Sequence, residues 1–240
     1  MMAAGIKTAH FSERDRADQK TAHGLELAVW ALLLLVCNLP LWSGRIAKSL
    51  VFFPGLVAGG QWWRLVLFPL VHVSWYHLIL DAGAFLLLWK GIDEARWRHL
   101  AACWAGSLLM PLCLSASVGT LGLCGLSGIC HGLMAISALE TAVSQSSPCS
   151  AKIGLALFFG LGAKVCWEVL SGAAFLADLH LGAIGIPIVS SHLGGFLGGL
   201  SSFVLLYLAR LLKNNENQLT GLPEAGAAGE GLGHEPEKNH

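Results

Sequence analysis

Six apolar runs, separated by more polar connections, restrict the possible folds of this chain more than any other feature. They are Leu25 to Trp42, Val71 to Trp89, Leu100 to Val118, Leu123 to Val143, Ile153 to Leu176 and Ser190 to Leu212. Each approaches the roughly 20 residues a helix needs to cross a hydrocarbon core of about 30 Å. Only 12% of the residues are charged, against about 25% in soluble domains. The expectation is an all-α membrane protein with six transmembrane helices. Zero formal net charge and scattered Lys and Arg leave no basic face for nucleic acid. The seven cysteines fall mostly inside apolar runs without a Cys-x-x-Cys pair, which suits neither a disulfide framework nor a zinc site. They read as small buried apolar residues.

Three regions follow. Residues 1–23 mix both charge signs, lack a secretory n-region and read as a polar cytoplasmic leader. Residues 24–212 form the bundle, and residues 213–240, rich in Gly, Glu and Asn, read as a disordered cytoplasmic tail. Between the first two runs, Ser43 to Leu70 carries Phe52, Phe53, Pro54, Trp62 and Trp63, as expected of a long loop lying in the membrane interface. With the N-terminus inside, six crossings put Lys7, Arg14, Arg16, Lys20, Lys90, Arg96, Arg98, Lys152, Arg210, Lys213 and Lys238 on the cytoplasmic side. Only Arg45, Lys48 and Arg64 fall outside. This asymmetry is the one the positive-inside rule selects, so both termini are expected in the cytoplasm and the start of the fourth span on the extracytoplasmic face.

At that start stands Gly125-Leu126-Ser127-Gly128, inside a stretch from Met110 to Leu139 without Lys, Arg, Asp or Glu. Small residues here suit close helix packing. They also suit a nucleophile: Gly125 and Gly128 let a substrate carbonyl approach the Ser127 amide, where free N–H groups of a helix start would meet an oxyanion. Ionisable residues inside spans are costly and need a reason. Lys164 and Glu168, four apart on one helical face, form either a structural ion pair or a contact to a charged substrate end or to the bundle core. On a continuous helix His77 and Asp81 share a face while His72 lies about 140° away, so no metal site is expected there. His192 is followed by Gly195 and Gly199 along one face, a seam for close packing. If the sixth span packs on the fourth, the His192 ring meets Ser127. A neutral imidazole there would take the serine proton and return it to a leaving amine.

These motifs together resemble the rhomboid intramembrane serine proteases: Trp63-Arg64 in the first loop, His72-x4-His77 with position 81, Gly125-x-Ser127-Gly128, and His192-x2-Gly195-x3-Gly199. Their order and spacing fit over roughly residues 25 to 212. His131, where many rhomboids carry an aromatic residue, and Lys164-x2-Trp167-Glu168 are similar to the rhombosortase branch. The resemblance implies Ser127 as nucleophile, His192 as general base, and His77 with Gly125 and Gly128 as oxyanion support. It implies no cofactor and no metal. The substrate would be a membrane-anchored secreted protein with a C-terminal tail of Gly-Gly, an apolar helix and basic residues. The location implied is a bacterial inner membrane, with the site toward the extracytoplasmic side. Asp81 departs from the usual asparagine. Either it is neutral and donates like Asn, or it is a carboxylate that orients His77, and the second is the reading adopted. Two other functions are weighed: a silent rhomboid-like protein that binds membrane helices, which only Asp81 favours and the retention of Ser127 and His192 opposes, and a small transporter relaying through Lys164, Glu168 and Asp81, for which no internal repeat is seen.

Overall fold

The computed structural model describes residues 13–92, 95–115, 118–144, 147–175 and 182–220. Among them the regular structure is helical: α1 Glu13–Cys37, α2 Pro54–Ala58, α3 Arg64–Leu67, α4 Trp75–Gly91, α5 Arg96–Leu114, α6 Val118–Leu121, α7 Ser127–Val143, α8 Pro148–Ser171 and α9 Ser190–Thr220. One antiparallel bridge joins Phe52 to Leu123. The chain divides into two compact units, Met1–Phe203 and Val204–His240, and every residue of the site lies in the first.

Polarity within the first unit is distributed as lipid requires. Asn38, Arg64, His72, Asp81, His99, Glu168 and His192 are buried, whereas Leu32, Ile79, Leu87, Leu109, Leu157 and Phe159 are exposed. In hydrocarbon, polar groups must find partners inside the protein, and apolar side chains cost nothing outside. α7 is central, packed on α4, α5 and α8. Its core face joins Ile129, Leu133 and Ile136 to Phe85, Trp89 and Trp30, with Trp30 edge-on to Phe85 at 5.1 Å. At the opposite end Arg96 pairs with Glu26 at 2.8 Å and lies over the Trp89 ring, fastening α5 to α1 and α4.

α9 meets α7 through glycines. A Cβ on Gly195 would run into the Gly128 carbonyl, and one on Gly199 into that of Gly132. The two backbones are therefore in direct contact, which the glycine spacing had suggested.

Several boundaries differ from the sequence reading. α1 starts at Glu13, so residues 13–23 continue the first helix, while residues 1–12 lie outside the described set. α9 runs to Thr220, because Lys, Glu, Gln and Leu in Lys213–Thr220 are good helix formers that extend an existing helix; residues 221–240 of the expected tail are outside the described set. Val71 does not begin a helix. The chain bends by 97° between Arg64–Leu70 and Trp75–Gly91, and Ser74 caps α4 by accepting from the His77 amide. The cysteine reading holds for Cys103 and Cys130, but Cys113, Cys149 and Cys166 are exposed. By length and composition Pro148–Ser171 and Ser190–Glu216 can cross a membrane, and the bent pair would make a third span. Thr21–Cys37 and Ser127–Val143 are apolar but shorter.

Candidate active site

Three anchors hold the turn before Ser127. Leu123 exchanges both backbone hydrogen bonds with Phe52, at 3.0 and 2.9 Å. The Gly125 amide donates to the Phe68 carbonyl at 3.2 Å. The Leu126 amide donates to Asp81 Oδ2 at 2.9 Å. The first loop and α4 thus fix where α7 begins. That loop is itself fastened by Arg64, whose Nη1 donates to the Lys48 and Val51 carbonyls while its Nε donates to Gln61. Gly125 has φ +97°, and a Cβ there would lie 2.9 Å from His77 Cε1 and 3.1 Å from Asp81 Oδ2. Both the backbone conformation and the space demand glycine.

The glycine seam carries His192 to Ser127, with Nε2 3.1 Å from Oγ. The other ring nitrogen, Nδ1, donates to Glu168 Oε2 at 2.8 Å. A carboxylate only accepts, so Nδ1 carries a hydrogen, and in the neutral ring the Nε2 lone pair then faces the serine hydroxyl. Below this ring lies His131, stacked at 4.1 Å with 12° between the planes. Its Nδ1 donates to the Ser127 carbonyl at 2.7 Å, and its Nε2 accepts from Lys164 Nζ at 2.7 Å. Lys164 also pairs with Glu168 Oε1 at 2.8 Å.

A cavity of about 400 Å³ opens over these groups. Ser127, His131, Lys164, Glu168 and His192 line its polar part, and Val73, Leu80, Leu121, Phe175, Ile186 and Ile188 contribute apolar wall. His77 and Asp81 also face it. Chemically, the arrangement offers a hydroxyl whose proton can move to Nε2 and a helix start whose first N–H groups can receive a negative oxygen.

A family model described as the Rhomboid domain matches residues 59–209, more than half of the chain. The chain belongs to the rhomboid family. This rhomboid is accordingly an all-helical integral membrane protein of a family of intramembrane serine proteases. None of the curated proteins and none of the solved structures compared with it matches.

In this rhomboid the bend before α4 corrects the helical-wheel argument about His72. Released from the helix, its ring comes to 5.0 Å from that of His77, with Nε2 3.4 Å from Asp81 Oδ2. Asn38 supports it from the end of α1, accepting from the His72 amide at 2.8 Å and donating to the Leu34 and Leu70 carbonyls. Asn38 was not singled out in the sequence, where one polar residue at the edge of an apolar run carries little signal. His77 turns Nε2 toward Asp81 Oδ2 at 3.2 Å, and its buried Nδ1 has no hydrogen-bond partner among the described residues. Asp81 Oδ2 thus accepts from the Leu126 amide and has a ring nitrogen of each histidine within 3.4 Å.

Lys164 and Glu168 do form an ion pair, but it is built into the site. The contact from Glu168 to His192 escaped the sequence reading, since two residues 24 positions apart on different helices leave no shared periodicity. His131, Glu168 and His192 each offer a ligand atom within 4.8 Å of the others, a donor set able to hold a divalent ion. The Lys164 ammonium already bonds two of the three.

Proposed function

We propose that this rhomboid is an intramembrane serine endopeptidase with Ser127 as nucleophile and His192 as general base. One observation carries the reading: Nε2 of His192 lies 3.1 Å from Ser127 Oγ. As Oγ attacks a peptide carbonyl, its proton passes to Nε2, and the tetrahedral oxygen turns toward the Ser127 amide and the first N–H groups of α7. Breakdown returns the proton to the leaving amine and leaves an acyl-serine. His77, oriented by Asp81, supports the oxyanion wall of the cavity.

The chain crosses a bacterial inner membrane six times, through α1, α4, α5, α7, α8 and α9, with both termini in the cytoplasm. α7 has 17 residues, about 25 Å at 1.5 Å per residue. This is shorter than a hydrocarbon core of about 30 Å, so its first residue sits below the extracytoplasmic surface. The substrate is a secreted protein with a C-terminal tail of Gly-Gly, an apolar helix and basic residues. Glycine unwinds helices and bares its carbonyl, and the apolar cavity wall suits the adjoining helix. His131 and the Lys164-x2-Trp167-Glu168 pattern support this branch over general rhomboid proteolysis.

The test is cleavage of a reporter bearing such a tail, in membranes containing the full chain. Ser127→Ala and His192→Ala are each expected to abolish cleavage while both variants still insert, and the double variant to be no worse, because the pair acts as one unit. Cleavage surviving in either single variant contradicts the assignment. Cleavage of other anchored substrates but not of Gly-Gly tails would leave the chemistry and remove the branch.

A further inference from the structure

We propose that Glu168 is the positioning residue for His192, the third member of a Ser127–His192–Glu168 relay, and that Lys164 locks His131 through the same ion pair. The inference rests on the reading of Ser127 and His192 as nucleophile and base.

A serine and a histidine joined by one hydrogen bond leave the imidazole free to rotate and to carry its proton on either nitrogen. Only the form with hydrogen on Nδ1 can accept from Ser127, and something must select it. Glu168 does so by receiving the Nδ1 hydrogen at 2.8 Å. The carboxylate is fixed in turn. It is 1% exposed, and its other oxygen accepts from Lys164 Nζ at 2.8 Å and from the Phe175 amide at 2.9 Å. That amide reaches it because Gly172, in the left-handed conformation at φ +70°, ends α8 and turns the chain back over Glu168.

A purely structural ion pair would need only Lys164 and Glu168. Here each member has a second duty on a different histidine. Lys164 donates to His131 Nε2, which leaves the His131 hydrogen on Nδ1 for the Ser127 carbonyl. A neutral ring is thereby presented flat against His192. When the Ser127 proton reaches Nε2, the imidazolium has a carboxylate on its far side, while Lys164 keeps the pair neutral in the resting state. The chain of contacts therefore runs from the fifth long helix to both rings of the site.

The experiment uses the full chain in detergent or nanodiscs and a fluorophosphonate probe. The Ser127 proton moves to His192, the Oγ–P bond forms, and fluoride leaves as the P–F bond breaks. The rate is followed from about pH 5 to about pH 9. In Glu168→Gln the amide donates to Nδ1 and forces hydrogen onto Nε2. Labelling is expected to fall between about 100-fold and about 10,000-fold, as when the acid of other triads is changed. The variant rate should keep rising with pH where the wild type levels off. Glu168→Asp, which retains an acceptor, should recover part of the rate, and Lys164→Met should lose less than Glu168→Gln. Independently of any variant, nitrogen-15 spectra of the histidine-labelled wild type should give the Nδ1–H form for His192. Glu168→Gln labelling within about threefold of wild type with the same pH profile would overturn the proposal, as would the Nε2–H form in the spectra. A wild type that does not label, or labelling that persists in Ser127→Ala, would instead defeat the underlying reading of Ser127 and His192, and this inference with it.

Discussion

Asp81 shows how one side chain can anchor a turn and orient a neighbour at once. Its Oδ2 takes the Leu126 amide at 2.9 Å and faces Nε2 of His77 at 3.2 Å and of His72 at 3.4 Å. The sequence discloses the i,i+4 relation of His77 and Asp81. It does not disclose the bond to Leu126, which depends on how α7 is docked 45 positions later. Asp81→Asn keeps the shape but exchanges charge-assisted bonds for neutral ones, roughly half as strong. Activity on a Gly-Gly reporter should fall about tenfold, the equivalent of about 1.4 kcal/mol, and the pH profile of Asp81→Asn against wild type checks this. Full activity with a flattened alkaline limb would mean that Asp81 donates as a neutral acid.

Between elements, the decisive contact is the seam of α7 and α9. Its glycines were legible because their spacing needs only the helical period. The bend before α4 was not, since Val71 to Val73 are as apolar as the helix they precede and Ser74 is a modest cap signal. Missing that bend separated His72 from its partners. At the seam, Gly195→Val should force the backbones apart and withdraw His192 from Ser127. Overpacking typically costs about 1 to 3 kcal/mol, so the protein should keep its helical content, melt several degrees lower and lose reporter cleavage altogether. Wild-type cleavage by Gly195→Val, measured beside a thermal melt, would mean that the seam does not set the distance.

At the scale of the whole molecule, hydropathy was enough to read the membrane class, while buried Asn38, Arg64 and Glu168 acquire meaning only from the packed bundle. A reporter fused at Gln218, on α9, should report a cytoplasmic location, and an extracytoplasmic signal would invert the face assigned to the cavity. The account as a whole depends on Ser127 being a nucleophile activated by His192. The most direct measurement is mass-spectrometric mapping of a fluorophosphonate adduct on the full chain in membranes. A single adduct on the Ser127 peptide, lost in Ser127→Ala and in His192→Ala, is the predicted result; an unmodified Ser127, or an adduct formed equally without His192, would contradict it.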